Sequence, residues 1–205
     1  AIDANALYLP SSLSIVHIDQ CILINNGNLN STISSVCPIL LIENSFVGFE
    51  KYSLKCKGIE VFTNCNLTVR NCNISNCDAT EASGDLENIY DSRAHGGGIH
   101  YRVNQASRSV KSDEESIVIE DCIFTNCKGN NGAACMLCPI SSNLVFNRNT
   151  IQDCRCGKFI FVIITSTFVE NFVIEDCTFK HNLFNNPVNS EDGGGSGIWI
   201  ANDKL

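Results

Sequence analysis

Apolar and polar residues alternate over short stretches of this chain, and the alternation returns at a steady interval. Ile117 to Cys127 reads I-V-I-E-D-C-I-F-T-N-C. Leu67 to Cys77 (L-T-V-R-N-C-N-I-S-N-C), Leu144 to Cys154 (L-V-F-N-R-N-T-I-Q-D-C) and Phe172 to Asn182 (F-V-I-E-D-C-T-F-K-H-N) repeat it, and Val16 to Asn26 and Leu40 to Phe49 are weaker copies. Alternation with β-branched residues is the signature of a strand whose two faces differ. Each copy reads as a short strand, an Asn/Asp turn, a second short strand, a glycine-containing turn and a third strand. Pro is scarce, and no window carries a helical stripe.

Ile119 to Phe146 spans 27 residues and Phe146 to Ile174 spans 28, while Val69 to Ile119 spans 50. The long interval is one period carrying an insertion, because 79–95 and 104–116 are polar and hold no copy of the motif. A repeat of this length, made of strands alone, buries its apolar face only by stacking on its neighbours. The expected fold is all-β, a right-handed parallel β-helix of about six coils, forming one domain over 1–205. Parallel stacking at about 4.8 Å gives a rod roughly 30 Å long. Ile18, Val69, Ile119 and Ile174 are expected to point inward in one column, with Ile42 and Phe146 between them. Cys72, Cys122 and Cys177 share a second repeat position, and Phe124 and Phe179 fill the interior. Asn76, Asn126 and Asp153 fall where the coil must turn, and Asn and Asp tolerate the left-handed backbone that such corners need. The last strand has no amphipathic cap after it, so the chain reads as a segment of something longer.

Phe179-Lys-His-Asn182 is a complete F-x-x-N, and Ile74, Phe124 and Ile151 open looser versions. Glycine elements follow: Gly96-Gly-Gly-Ile99, Gly132-Ala-Ala-Cys135, Gly157-Lys-Phe-Ile160 and Gly195-Ser-Gly-Ile198. Paired in this way, over roughly residues 13–201, they resemble the F-x-x-N and G-G-A-[ILV] repeats of the polymorphic outer-membrane proteins of chlamydiae and similar repeat proteins of some protists. The resemblance implies a right-handed β-helix and a surface or adhesive role. The departures are Cys for Asn at 77, 127 and 154, degenerate glycine elements and no membrane-anchoring barrel.

Composition narrows the partners. A net charge of −8 works against nucleic acid and anionic membrane surfaces. No run of eighteen apolar residues is present, so no direct membrane insertion is expected. The 13 cysteines allow two readings: a disulfide framework of a secreted protein, or apolar fillers stacked in columns. The shared repeat positions favour mostly buried thiols. Asn30, Asn66 and Asn73 open glycosylation sequons, which fit a secretory route.

Candidate chemistry is sparse. Glu43, Arg70, Glu120, Asn147 and Glu175 share one outward position, a solvated face or a carboxylate column. Cys135-Met-Leu-Cys138 with Cys154-Arg-Cys156 departs from four-ligand zinc spacing, so no metal and no cofactor is expected. His95-Gly-Gly-Gly98 lacks the G-x-S-x-G that would make it part of a hydrolase site. No cluster of Asp with Lys or Arg is found that would suit polysaccharide cleavage. The reading is a non-catalytic structural or adhesive module of a surface or extracellular protein, binding a protein or glycan partner or flanking coils. The loops at 79–95 and 104–116 are its contact region, with Tyr90, Asp91, Tyr101 and Arg102 as contact residues. The alternatives are a carbohydrate-active β-helix and an intracellular scaffold in a filament or cytoskeletal assembly.

Overall fold

A computed structural model describes residues 7–25, 31–49, 56–62, 65–80, 96–102, 116–138, 141–165, 168–184 and 197–202. Every regular element among them is a strand, and the strands come in threes. The first three sets are β1 (Leu7–Leu9), β2 (Ile15–Asp19) and β3 (Ile22–Ile24); β4 (Ser31–Ser35), β5 (Ile39–Glu43) and β6 (Phe46–Gly48); and β7 (Lys57–Val61), β8 (Asn66–Arg70) and β9 (Asn73–Ser75). They are followed by β10 (Ile99–Arg102), β11 (Ser116–Glu120) and β12 (Ile123–Thr125), by β13 (Lys128–Cys138), β14 (Ser141–Asn147) and β15 (Thr150–Gln152), and by β16 (Arg155–Thr165), β17 (Phe168–Glu175) and β18 (Thr178–Lys180). β19 (Leu183–Phe184) and β20 (Ile198–Asn202) both pair with β16.

From β1 to β16 each strand pairs with the strand three places on, always in parallel. Three sheets result. One runs β1-β4-β7-β10-β13-β16 and continues into the last two strands; the second and third hold six strands each, β2 to β17 and β3 to β18. The chain is a parallel β-helix, whose coils lie one above another.

Register converts the sequence repeat into columns. Ile18, Ile42, Val69, Ile119, Phe146 and Ile174 are directly paired in succession along the second sheet. The first five are buried, and Ile174 packs partly buried against the same core. Leu23, Val47, Ile74, Phe124, Ile151 and Phe179 make the matching column of the third sheet. Phe146 reaches across to Phe161 of the first sheet, ring centroids 4.3 Å apart, and stands 6.2 Å from Phe124. One continuous apolar interior follows, and full burial of each such side chain is worth about 1.5–3 kcal/mol.

The corners are made by left-handed residues. Gln20, Asn44, Asn71, Asp121, Arg148 and Asp176 have positive φ after the second-sheet strands, and Asn76, Asn126, Asp153 and His181 after the third-sheet strands. Left-handed backbone costs most residues about 1–2 kcal/mol, less for Asn and Asp, whose side chains bond locally. Those bonds form ladders between coils: Asn71 donates to Asn44 at 2.7 Å and Asn44 to Asp19 at 2.8 Å. At the second corner Asn126 donates to Asn76 at 3.2 Å.

The glycine elements have a steric cause. A Cβ on Gly98 would lie 2.5 Å from the Ala134 carbonyl oxygen and 3.0 Å from the Phe124 ring. Gly58 is just as confined, 2.5 Å from the Gly98 oxygen and 3.0 Å from Cys77 Sγ. Register stacks Gly58-Ile59, Gly98-Ile99 and Ala134-Cys135. Gly58 and Ile59 therefore both face inward where the first sheet begins, which leaves Lys57 and Glu60 together on the outer side.

Candidate functional site

The structure redistributes the residues singled out from sequence. Tyr90 and Asp91, with most of both polar loops, lie outside the described residues, as does Asn30. Tyr101, expected as a loop contact, is instead an interior residue: it is 0% exposed, and its hydroxyl donates to the Cys65 carbonyl and accepts from the Cys65 N–H, both at 2.9 Å. Period-two alternation in β10 explains the correction, since Ile99 and Tyr101 share the inward face. Arg102 points the other way, half-buried, with its guanidinium 4.9 Å from the Phe62 ring centroid. Asn73 is exposed on β9, and the side-chain oxygen of Asn66 accepts from the Ser116 N–H at 2.8 Å.

The outward column Glu43, Arg70, Glu120, Asn147 and Glu175 is in direct register. Three of its four charged groups are engaged across coils. Arg70 Nε lies 3.1 Å from Glu120, and His17 lies 3.1 Å from Glu43. Arg148 clamps Asp121 with two hydrogen bonds of 2.7 and 2.8 Å, which holds the exposed Asp121 carboxyl below its ordinary pKa.

The fold assembles two polar clusters beyond the residues singled out from sequence. The first sits on the outer side of the first sheet, where Glu60 and His100 are directly paired. Lys57 Nζ lies 2.5 Å from Glu60 Oε1 and 3.1 Å from His100 Nδ1, and all three side chains are almost wholly buried. An ammonium donating to Nδ1 requires a neutral ring with that nitrogen as acceptor. Burial and the Lys57 charge lower His100 to about 3, in agreement with a neutral ring. Burial would raise Glu60, but the charge and hydrogen bonding beside it, the Lys57 ammonium among them, outweigh that and lower it to about 2. Burial lowers Lys57 below its ordinary value of 10.5. Among the described residues a carboxylate, an ammonium and a neutral ring thus form one buried network.

The second cluster lies at the corner where the third sheet passes into the first. Asp78, Lys128 and Arg155 occupy the same place in successive coils, each one residue after the cysteine that ends its repeat. They line a cleft of about 410 Å³ with Thr80, Gly129, Asn130, Cys156 and Gly157. The linear sequence holds no Asp/Lys/Arg cluster, and the fold assembles one. Its signal was present in the aligned repeats, in the residue after Cys77, Cys127 and Cys154. Among its described lining residues Asp78 is the one carboxylate, so these residues do not supply the paired carboxylates of glycoside hydrolysis.

All 13 cysteines are free thiols, eleven of them buried. They are corner donors as much as fillers: Cys72, Cys122 and Cys177 each lie 3.1 Å from the carbonyl oxygen two residues back. Burial pushes the Cys135 thiol well up and the Cys156 thiol to about 12, so neither supplies the thiolate that nucleophilic chemistry needs. Among the described residues no three His, Cys, Asp or Glu side chains are arranged to hold a metal ion. Cys135 belongs to the inner core cluster, whereas Cys138 falls on the alternate face of β13, which separates the two members of the near-zinc motif. No helix among the described residues is long and apolar enough to cross a membrane. Comparison with family models, with curated proteins and with solved structures found no match.

Proposed function

We propose that the chain is a non-catalytic structural or adhesive β-helix module, displayed at a cell surface or outside the cell, that works by presenting a binding surface to a protein or glycan partner. The observation that carries this reading is the engagement of the outward polar columns in coil-to-coil ladders, from Asp19-Asn44-Asn71 to Arg70-Glu120 and Arg148-Asp121. Groups tied in this way stiffen a scaffold, and a stiff scaffold lowers the ordering cost of a partner. The F-x-x-N and glycine repeats, with their resemblance to chlamydial and protist surface proteins, support the same role. The polar segments 79–95 and 104–116 and the half-buried Arg102 side of β10 are its contact region, and Asn73 is an exposed site for a glycan.

Beads coated with the chain should adhere to glycosylated cell monolayers, and the chain should release no product from pectin-like or chitin-like polymers. Absence of adhesion, together with product release that is lost in a Glu120→Gln, Glu175→Gln double variant, would replace this reading with a carbohydrate-active one.

A second reading is favoured by the thiols. Thirteen free cysteines suit a reducing compartment, where a stiff rod could serve as an intracellular scaffold. Thiol titration of native material separates the two: a full complement of free thiols favours the scaffold, and cross-linked cysteines or a glycan on Asn73 favours the surface module.

A further inference from the structure

The outward face of the third sheet carries an apolar strip with one amide set in it. Ile22, Phe46, Asn73 and Ile123 are directly paired in succession, coil on coil. Ile22 is 75% exposed and Ile123 44%, and the Phe46 side chain is half-buried. Neighbouring strands stand about 4.8 Å apart, so Asn73 has a phenyl ring on one side and a branched aliphatic chain on the other. Alternation turns all four side chains away from the core, and packing inside the coil therefore does not account for the apolar ones. A contiguous apolar strip on an outer face marks a place where another group packs.

Asn73 opens the sequon Asn73-Ile74-Ser75. The Ser75 hydroxyl donates to the Asn73 side-chain oxygen, which fixes the amide plane. Among the described residues no group bonds the amide nitrogen, and Asn73 is exposed. Asn66, which opens the other described sequon, is placed differently. It is half-buried, and its side-chain oxygen accepts from the Ser116 N–H of the next coil at 2.8 Å.

We propose that Asn73 carries an N-linked glycan whose first sugar lies over the strip formed by Phe46 and Ile123. The donor is an oligosaccharide carried on a polyprenyl pyrophosphate. Asn73 Nδ2 forms a bond to the anomeric carbon, the bond from that carbon to the pyrophosphate oxygen breaks with its electron pair leaving on the pyrophosphate, and one amide proton is released. A sequon hydroxyl beside an accessible amide nitrogen is what this chemistry asks of the acceptor. A pyranose ring presents an apolar C–H face, and its packing on the phenyl ring and the isoleucine removes apolar surface from water on both partners.

The glycan rests on the display reading for the compartment that supplies its donor, and it adds which sequon is used and what the sugar touches. The full chain is secreted from a eukaryotic host, site occupancy is read by mass spectrometry on secreted and cell-retained chain alike, and the glycan is trimmed enzymatically to a single N-acetylglucosamine. Asn73 should be occupied and Asn66 unmodified. The single-sugar chain should unfold at a urea midpoint roughly 0.3 M above that of Asn73→Gln. That gap should vanish when Phe46→Thr and Ile123→Thr are made together. Thr150 and Thr178 hold the same column in later coils, so threonine suits the strand there. An unoccupied Asn73, equal occupancy of Asn66, no gap in the midpoint, or a gap that survives the double variant would each overturn the assignment. An unmodified Asn73 on chains whose beads adhere removes the glycan site and leaves the display reading; a glycan seated on the strip of chains that do not adhere removes the display reading and leaves the site.

Discussion

At Cys122 the thiol lies 3.1 Å from the Glu120 carbonyl oxygen, and at the same repeat position Ser45 donates its hydroxyl to the Glu43 carbonyl at 2.6 Å. Asn149 fills that position one coil further on, accepting from the Cys122 N–H at 2.9 Å and donating to the Ile119 carbonyl at 2.8 Å. The column therefore selects a small donor that satisfies a buried corner carbonyl, and such a group left unmatched is costly. Cys122→Ser is expected to fold, with a loss of about 1 kcal/mol in urea unfolding, the scale of one hydrogen bond. Cys122→Asp places a carboxylate where the residue is 1% exposed, and should abolish cooperative folding. A cooperatively folded Cys122→Asp variant would show that the column tolerates charge and that its burial is misassigned. The sequence made the burial of these cysteines legible through their shared repeat position. Their role as corner donors was hidden, because it depends on a bond to the residue two places back in a left-handed turn.

Among the elements, the first sheet holds the features that patterning did not expose. Period-two alternation located the strands of the second and third sheets, whose corners recur at constant length. The first sheet begins differently: Gly58 and Ile59 both face inward, which breaks the alternation and brings out Lys57 and Glu60 together. Gly98→Ala should destabilise by about 1–3 kcal/mol, since its Cβ would meet backbone at 2.5 Å. Gly129→Ala, whose Cβ meets nothing closer than 3.4 Å, should be neutral or stabilise by about 0.4–1 kcal/mol in the same assay. Equal effects at the two sites would mean that close approach does not select the glycine element. The Lys57-Glu60-His100 network makes the sheet acid-sensitive. His100 is held near 3 rather than 6.5, so between those values the unfolded chain takes up a proton that the native chain refuses, and stability falls as pH falls. Glu60, lowered from 4.5 to about 2, loses its contribution as pH drops through that lower window. Lys57, lowered from 10.5, has the same sign. The urea midpoint should decline steadily from pH 6.5 to pH 3, and His100→Gln should flatten the upper part of that slope. A midpoint unchanged over this window would contradict the buried, neutral His100. No sequence motif announced this network, because its members are paired by coil register across 40 residues.

For the whole molecule, repeat length and alternation were enough to place the chain as a parallel β-helix, because each coil finds its apolar partners only in the next. The corner cleft needed the fold as well: Asp78, Lys128 and Arg155 are unremarkable in sequence until stacking brings them together. The polar segments 79–95 and 104–116 stand out in the sequence as a departure from the repeat; of the contact residues expected there, alternation turns Tyr101 inward, and Tyr90 and Asp91 lie outside the described residues. The proposed function assigns rigidity to the coil body, whose polar columns hold coil to coil, and partner contact to the polar segments 79–95 and 104–116. Replacing 81–95 and 104–115 with short Gly-Ser links tests that separation most directly, read as bead adhesion to cell monolayers. An intact β-sheet spectrum and cooperative unfolding with adhesion lost are expected; adhesion unchanged in the folded variant would place the binding surface on the coil body instead.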